Sequence, residues 1–197
     1  MSAALHSSPA APSTARRASL RQINVARAGF ALVWAAAVLI AVGDKVPTTD
    51  TELPASAALL LASYPLIDVI ASLVAATFGD TRALRINAAV SAFAIVGISV
   101  AAFSLDAGST LAAFGAWAAV SGAIQLGMAL HRRRARGGQL PMIVSGALST
   151  LAGLSFVAAS GNADAQLATL AGYMAFGAVL FLLGARRDDT NPRAVRR

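Results

Sequence analysis

Long apolar runs broken by short polar segments set the pattern of this chain. The apolar residues do not alternate as in a half-buried strand, and the runs are long enough to cross a bilayer as helices. Six runs stand out. The first is Ile23 or Ala28 to Gly43, the second Ala55–Phe78 and the third about Ile86–Leu105. The fourth is about Thr110–Leu130, the fifth Pro141–Ala159 and the sixth Ala165–Gly184. Pro141 falls in a first helical turn, where its missing N–H costs nothing. Pro65 falls inside the second run, where it should kink the helix and leave the Leu61 carbonyl needing a partner. The predicted fold is an all-α integral membrane bundle of six transmembrane helices over residues 23–185. Its three hairpins cover about 23–78, 86–130 and 141–184. Residues 1–22 read as a disordered basic tail and 186–197 as a second basic tail. A cleavable signal is the rival reading of the start, since a basic region precedes an apolar one.

Composition strengthens the membrane reading. The chain is 57% hydrophobic and 13% charged, against roughly 45–50% and 25% in soluble domains. The net charge of +7 does not point to nucleic acid, because the basic residues sit in short segments between apolar runs and at the ends. Every Lys and Arg except Lys45 falls on one side of the predicted membrane, which places both termini in the cytoplasm. The opposite side is acidic, with Asp44, Asp50, Glu52, Asp106 and Asp164. Arg16, Arg17, Arg21 and Arg27 are basic enough to lie against anionic headgroups. Arg132, Arg133, Arg134 and Arg136 form a topology signal that also suits anionic lipid. With no cysteine and with only His6 and His131, no metal site or cofactor is expected.

The hairpins resemble one another. Gly97, Ser99, Ala102 and Ser104 recur as Gly153, Ser155, Ala158 and Ser160, and the same offset carries Trp117 to Tyr173. A duplicated supersecondary unit explains this; compositional drift among small-residue helices is the alternative. The even-numbered runs share a face at a spacing of four residues: Tyr64/Asp68/Ser72, Trp117/Ser121/Gln125 and Tyr173/Gly177/Phe181. The aromatics read more plainly as packing residues than as a cofactor box.

Asp68 is the candidate for chemistry. A charged carboxylate at mid-bilayer is expensive, and no Lys or Arg lies within a predicted span to pair it. The neutral acid is then favoured, donating to Gln125, Ser121 or a freed carbonyl. Asp68 reads as neutral helix glue, as a protonatable site walled by Tyr64, Ser72, Ser121 and Gln125, or as an ionised group in a water-filled cleft. No Ser-His-Asp order, phosphate loop, zinc motif or carboxylate pair appears, so no enzyme activity is expected.

The even helices resemble those of the HdeD-like membrane proteins, whose pattern is close to Gly-Ala-Tyr-x-x-x-Asp-Gly. Ala62-Ser63-Tyr64 to Asp68-Val69 carries the Tyr and Asp, with Val69 in place of glycine. Ala116-Trp117 to Ser121-Gly122 keeps the glycine, and Gly172-Tyr173 to Gly177-Ala178 keeps the aromatic. Arg27-Ala28-Gly29 is similar to the Arg-Gly that opens the family's first hairpin. The resemblance covers about residues 27–187 and implies a non-enzymatic, multi-pass bacterial inner-membrane protein, sometimes tied to acid resistance. The leading expectation is therefore support of acid or envelope stress tolerance. The alternative is a small proton-linked transporter or channel using Asp68. A third is an adaptor holding a membrane-protein partner, and a homo-oligomer also fits; the lipid bilayer is the one general partner.

Overall fold

The computed structural model describes residues 14–77, 81–133, 140–164 and 167–187. Among them every regular element is helical. Helix α1 is Thr14–Val42, followed by a short 3-10 turn, Gly43–Lys45. Gly43 takes φ +42°, a left-handed conformation that stops the helix and suits glycine. The later helices are α2 (Ala55–Ser63), α3 (Pro65–Ala76), α4 (Thr81–Ser104), α5 (Ala107–Arg133), α6 (Leu140–Ala159) and α7 (Ala168–Arg187).

Five apolar segments are long enough to cross a membrane: Arg21–Val42, Ala55–Ala76, Arg82–Ser104, Ala107–His131 and Leu140–Ala159. The expected sixth crossing is shorter, with its apolar part limited to Ala168–Leu183. The turn after α6 delays its start, and Arg186 ends its apolar stretch. The outer surface is apolar in the way that lipid contact requires: Ile40 and Phe93 are each 78% exposed. These features fit a multi-pass membrane protein.

Two expectations at the chain start need correction. Residues 14–22, expected to be part of a disordered tail, are the first turns of α1. Arg27 is therefore well inside a helix, and inside the apolar segment Arg21–Val42. The expected disorder of Met1–Ser13 lies outside the described residues, as do Arg134 and Arg136. Arg133 is exposed at the end of α5, whose last turn also carries Arg132.

The expected break at Pro65 is present and divides the second segment into α2 and α3. Proline lacks the N–H that would bond the Leu61 carbonyl. Neighbouring carbonyls are covered: Trp34 Nε1 donates to Leu60 O at 3.0 Å and the Ser63 hydroxyl to Leu59 O at 2.6 Å. The Trp34 bond also ties α1 to the break.

The helices close into a ring. Helix α1 packs on α7, α2–α3 on α4, α4 on α5, and α5 on α6, while α1 meets α2 and α3, and α6 meets α7, through smaller contacts. Phe114 is fully buried at the hub and meets Tyr64, Trp117 and Tyr173 with ring centroids 5.8, 5.1 and 6.1 Å away. At one end the loop before α2 staples the other turns. Thr49 N donates to Ala163 O at 3.2 Å, its hydroxyl to Asn162 O at 2.6 Å, and its carbonyl accepts from Gly108 N at 2.8 Å. A Cβ on Gly108 would lie 2.6 Å from Ser160 O, so this junction admits only glycine without a shift.

Candidate functional site

The ring leaves a cavity of about 570 Å³, with walls from α1, α3, α4, α5, α6 and α7. Tyr64, Asp68, Ser121 and Gln125 all line it. So do Trp117, Tyr173, Gly177 and Phe181, so the shared faces of the even-numbered runs converge here. Ser72 is buried one turn beyond Asp68 and does not line the cavity; its hydroxyl accepts from Asn87 Nδ2 at 3.0 Å.

Asp68 is not a lone acid. Arg27 Nη2 pairs with Asp68 Oδ1. Asp68 Oδ2 accepts from Asn87 Nδ2 at 2.6 Å and from the Ser91 hydroxyl at 3.0 Å. The Ser91 oxygen in turn accepts from Trp117 Nε1 at 3.0 Å. This overturns the expectation that no base within a span could pair Asp68 and that it would donate to Gln125 or Ser121. The physical reason is the early start of α1. A guanidinium inside the bundle meets the carboxylate directly, and both carboxylate oxygens are then satisfied, as a buried pair requires. Gln125 instead donates to the Met142 carbonyl at 3.5 Å, the long limit of a hydrogen bond.

Arg27 has a second contact. Its guanidinium carbon lies 4.3 Å from the centroid of the Phe181 ring on α7. One side chain therefore joins α1 to α3 and to α7. Headgroup contact, the expected role of Arg27, does not describe its placement.

Three buried polar atoms of cavity-lining residues have no partner among the described residues: Arg27 Nε, Asn87 Oδ1 and Ser121 Oγ. Elsewhere on the wall the Ser149 and Tyr173 hydroxyls share a 2.6 Å bond between α6 and α7. Among the described residues no three His, Asp or Glu side chains gather as a metal ion would need.

The expectations missed Asn87 and Ser91. They lie four residues apart on α4, the same spacing that singled out Asp68 and Ser72. At the stapled end, outside the membrane segments, Asp106 caps α5. The Ser109 N–H donates to Asp106 Oδ1 at 2.6 Å, and this bond holds the carboxyl below its ordinary range.

The class defined by these features is an all-helical, multi-pass membrane bundle enclosing a cavity with a buried ion pair in its wall. No family model, curated protein or solved structure matches the chain.

Proposed function

We propose that the chain is a non-enzymatic protein of the bacterial inner membrane, of the HdeD-like type, that supports acid or envelope stress tolerance through its central cavity. The α2–α3 rod and the other five helices make six crossings as three hairpins, with both termini cytoplasmic. The short apolar stretch Ala168–Leu183 reaches across with Arg186 snorkelling at its end. The observation that carries this reading is the cavity itself. An adaptor that only held a partner would have no need of a hollow bundle wall bearing an ion pair, a cost that packed apolar side chains would avoid.

The second reading, a small proton-linked transporter or channel, is favoured by one feature: Asp68 lines that cavity. Its three hydrogen-bond donors weigh toward a structural role. The test is survival of a deletion strain after acid challenge, complemented by the wild-type chain or by Asp68→Asn at equal membrane levels. The amide keeps the size of the acid and cannot exchange a proton. Rescue by both chains supports a cavity protein in which Asp68 is structural. Rescue by wild type alone moves proton exchange to the front. A deletion without an acid phenotype removes the stress role.

A further inference from the structure

The cavity has a side door. Leu151 on α6 and Phe176 on α7 both line it, yet they are 62% and 50% exposed. Residues that are at once cavity wall and outer surface mark a mouth. Both lie near the middle of their helices, away from the loops. The gap between the helices is real space: a Cβ on Gly172 or Gly177 would meet nothing within 4 Å. In a spanning bundle this mouth opens to lipid tails.

The interior is amphipathic. The apolar lining includes Leu148, Leu151, Phe156, Phe176 and Leu180. Three polar atoms of lining residues are buried without partners among the described residues: a donor, Arg27 Nε, an acceptor, Asn87 Oδ1, and a hydroxyl, Ser121 Oγ. Asn87 is only 7% exposed, so its orphaned oxygen is costly to leave unbonded. The Arg27 charge is already offset by Asp68, which leaves nothing to balance a charged headgroup. A cavity of about 570 Å³ has room for far more water than these polar atoms could order against an apolar wall.

We propose that the cavity binds an uncharged, single-chain amphiphile with a hydroxylated headgroup, of the monoacylglycerol class, which enters from the bilayer between α6 and α7. The headgroup hydroxyls both donate and accept, matching the polar side chains of the wall, Ser121, Gln125 and Ser145. Rotation about its Cα–Cβ bond turns the unpartnered Ser121 hydroxyl to the ligand, while Asn87 stays fixed by its bonds to Asp68 and Ser72. The acyl chain fills the gap beside Gly172 and Gly177. This rests on the six-span reading, since the mouth must face lipid.

The full chain in phosphatidylcholine nanodiscs tests it. Trp34→Phe leaves Trp117, a cavity residue, as the sole tryptophan. A monoacylglycerol with a brominated chain should quench Trp117 emission saturably, where brominated phosphatidylcholine quenches weakly and without saturation. Gly177→Leu and Gly172→Leu each fill the gap without meeting a neighbour at Cβ, and each should abolish saturation. Quenching no stronger than by phosphatidylcholine overturns the proposal. So does saturation that survives in either leucine variant, or equal binding of an anionic brominated fatty acid. The chain has no cysteine, so a nitroxide attached to Leu151→Cys in detergent, before reconstitution, reports the mouth alone. Relaxation of the label by dissolved oxygen but not by a water-soluble nickel chelate places the mouth in lipid; failed quenching then removes only the amphiphile. Relaxation by the nickel chelate removes the lipid entrance, and with it the proposal.

Discussion

Helix α6 has two neighbours and treats them oppositely. Against α5 it closes on glycine. A Cβ on Gly115 would lie 2.7 Å from Gly153 O, on Gly122 2.6 Å from Thr150 N, on Gly146 2.6 Å from Leu126 N, and on Gly153 2.3 Å from Ala119 N. Backbone meets backbone, which is how membrane helices gain contact where burial from water supplies no drive. Against α7 the glycines, Gly172 and Gly177, face open space, and the Ser149–Tyr173 hydroxyl bond bridges the gap. The same residue type seals one seam and keeps the other ajar. A glycine in a membrane helix thus has meaning only through what stands opposite it.

Helix α7, loose against α6, is held from its other side by α1, where Arg27 joins α1 to α3 by charge and to α7 through Phe181. The largest expected effect follows. Arg27→Leu strands a buried carboxylate and should destabilise the bundle by about 3–5 kcal/mol, read as an earlier thermal loss of the monodisperse species in nanodiscs. The double variant Arg27→Leu/Asp68→Leu should recover most of that loss, because two apolar side chains replace the pair without a stranded charge. A single variant costing no more than the about 0–1 kcal/mol of exposed pairs would mean that water reaches the site freely, and the fastening role would fall.

The seams themselves come next. Gly153→Ala pushes a methyl into the α5 backbone and should cost about 1–3 kcal/mol. Gly172→Ala puts the same methyl into a void and should gain about 0.5–1 kcal/mol from helix propensity. The two substitutions are chemically identical, so opposite signs in the same melting assay isolate the seam as the cause. Equal signs would break the comparison.

Much of this bundle was legible from the residues. The long apolar runs marked the helices, and the four-residue spacing of Tyr64, Asp68 and Ser72 put them on one face. The same spacing in Asn87 and Ser91 carries no signal by itself, because small polar residues are common in such helices and only the rotation of α4 against α3 aims both at Asp68. Gly115/Gly122 and Gly146/Gly153 recur at seven residues, two full turns, and a search for Gly-x-x-x-Gly passes over them. Arg27 was the harder case. A base near the start of an apolar run reads alike whether it reaches out to headgroups or turns inward. Spacing within one helix does not give the rotation of that helix against its neighbours. The cavity depends on that rotation for six elements at once, so it became visible only in three dimensions.

The smallest effect concerns where acid would first loosen the molecule. Asp106 caps α5, the tight-seam helix, beside the turn that Thr51 and Thr49 pin through Ala107 N and Gly108 N. Its carboxyl is held below the ordinary range by the Ser109 N–H, so the folded state favours the ionised form. The cap's stabilisation is therefore complete above the ordinary carboxylate value of about 4 and is lost as the pH falls through the depressed folded value. Asp106→Ala should cost about 1 kcal/mol at neutral pH, and its difference from wild type should shrink on acidification. Asp106→Asn keeps an acceptor for the Ser109 N–H and should show a flatter pH response. Melting curves of the three chains across that range decide it. A gap that stays constant into acid would mean that the cap is not carried by charge, and the stapled end of the tight seam would then be indifferent to pH.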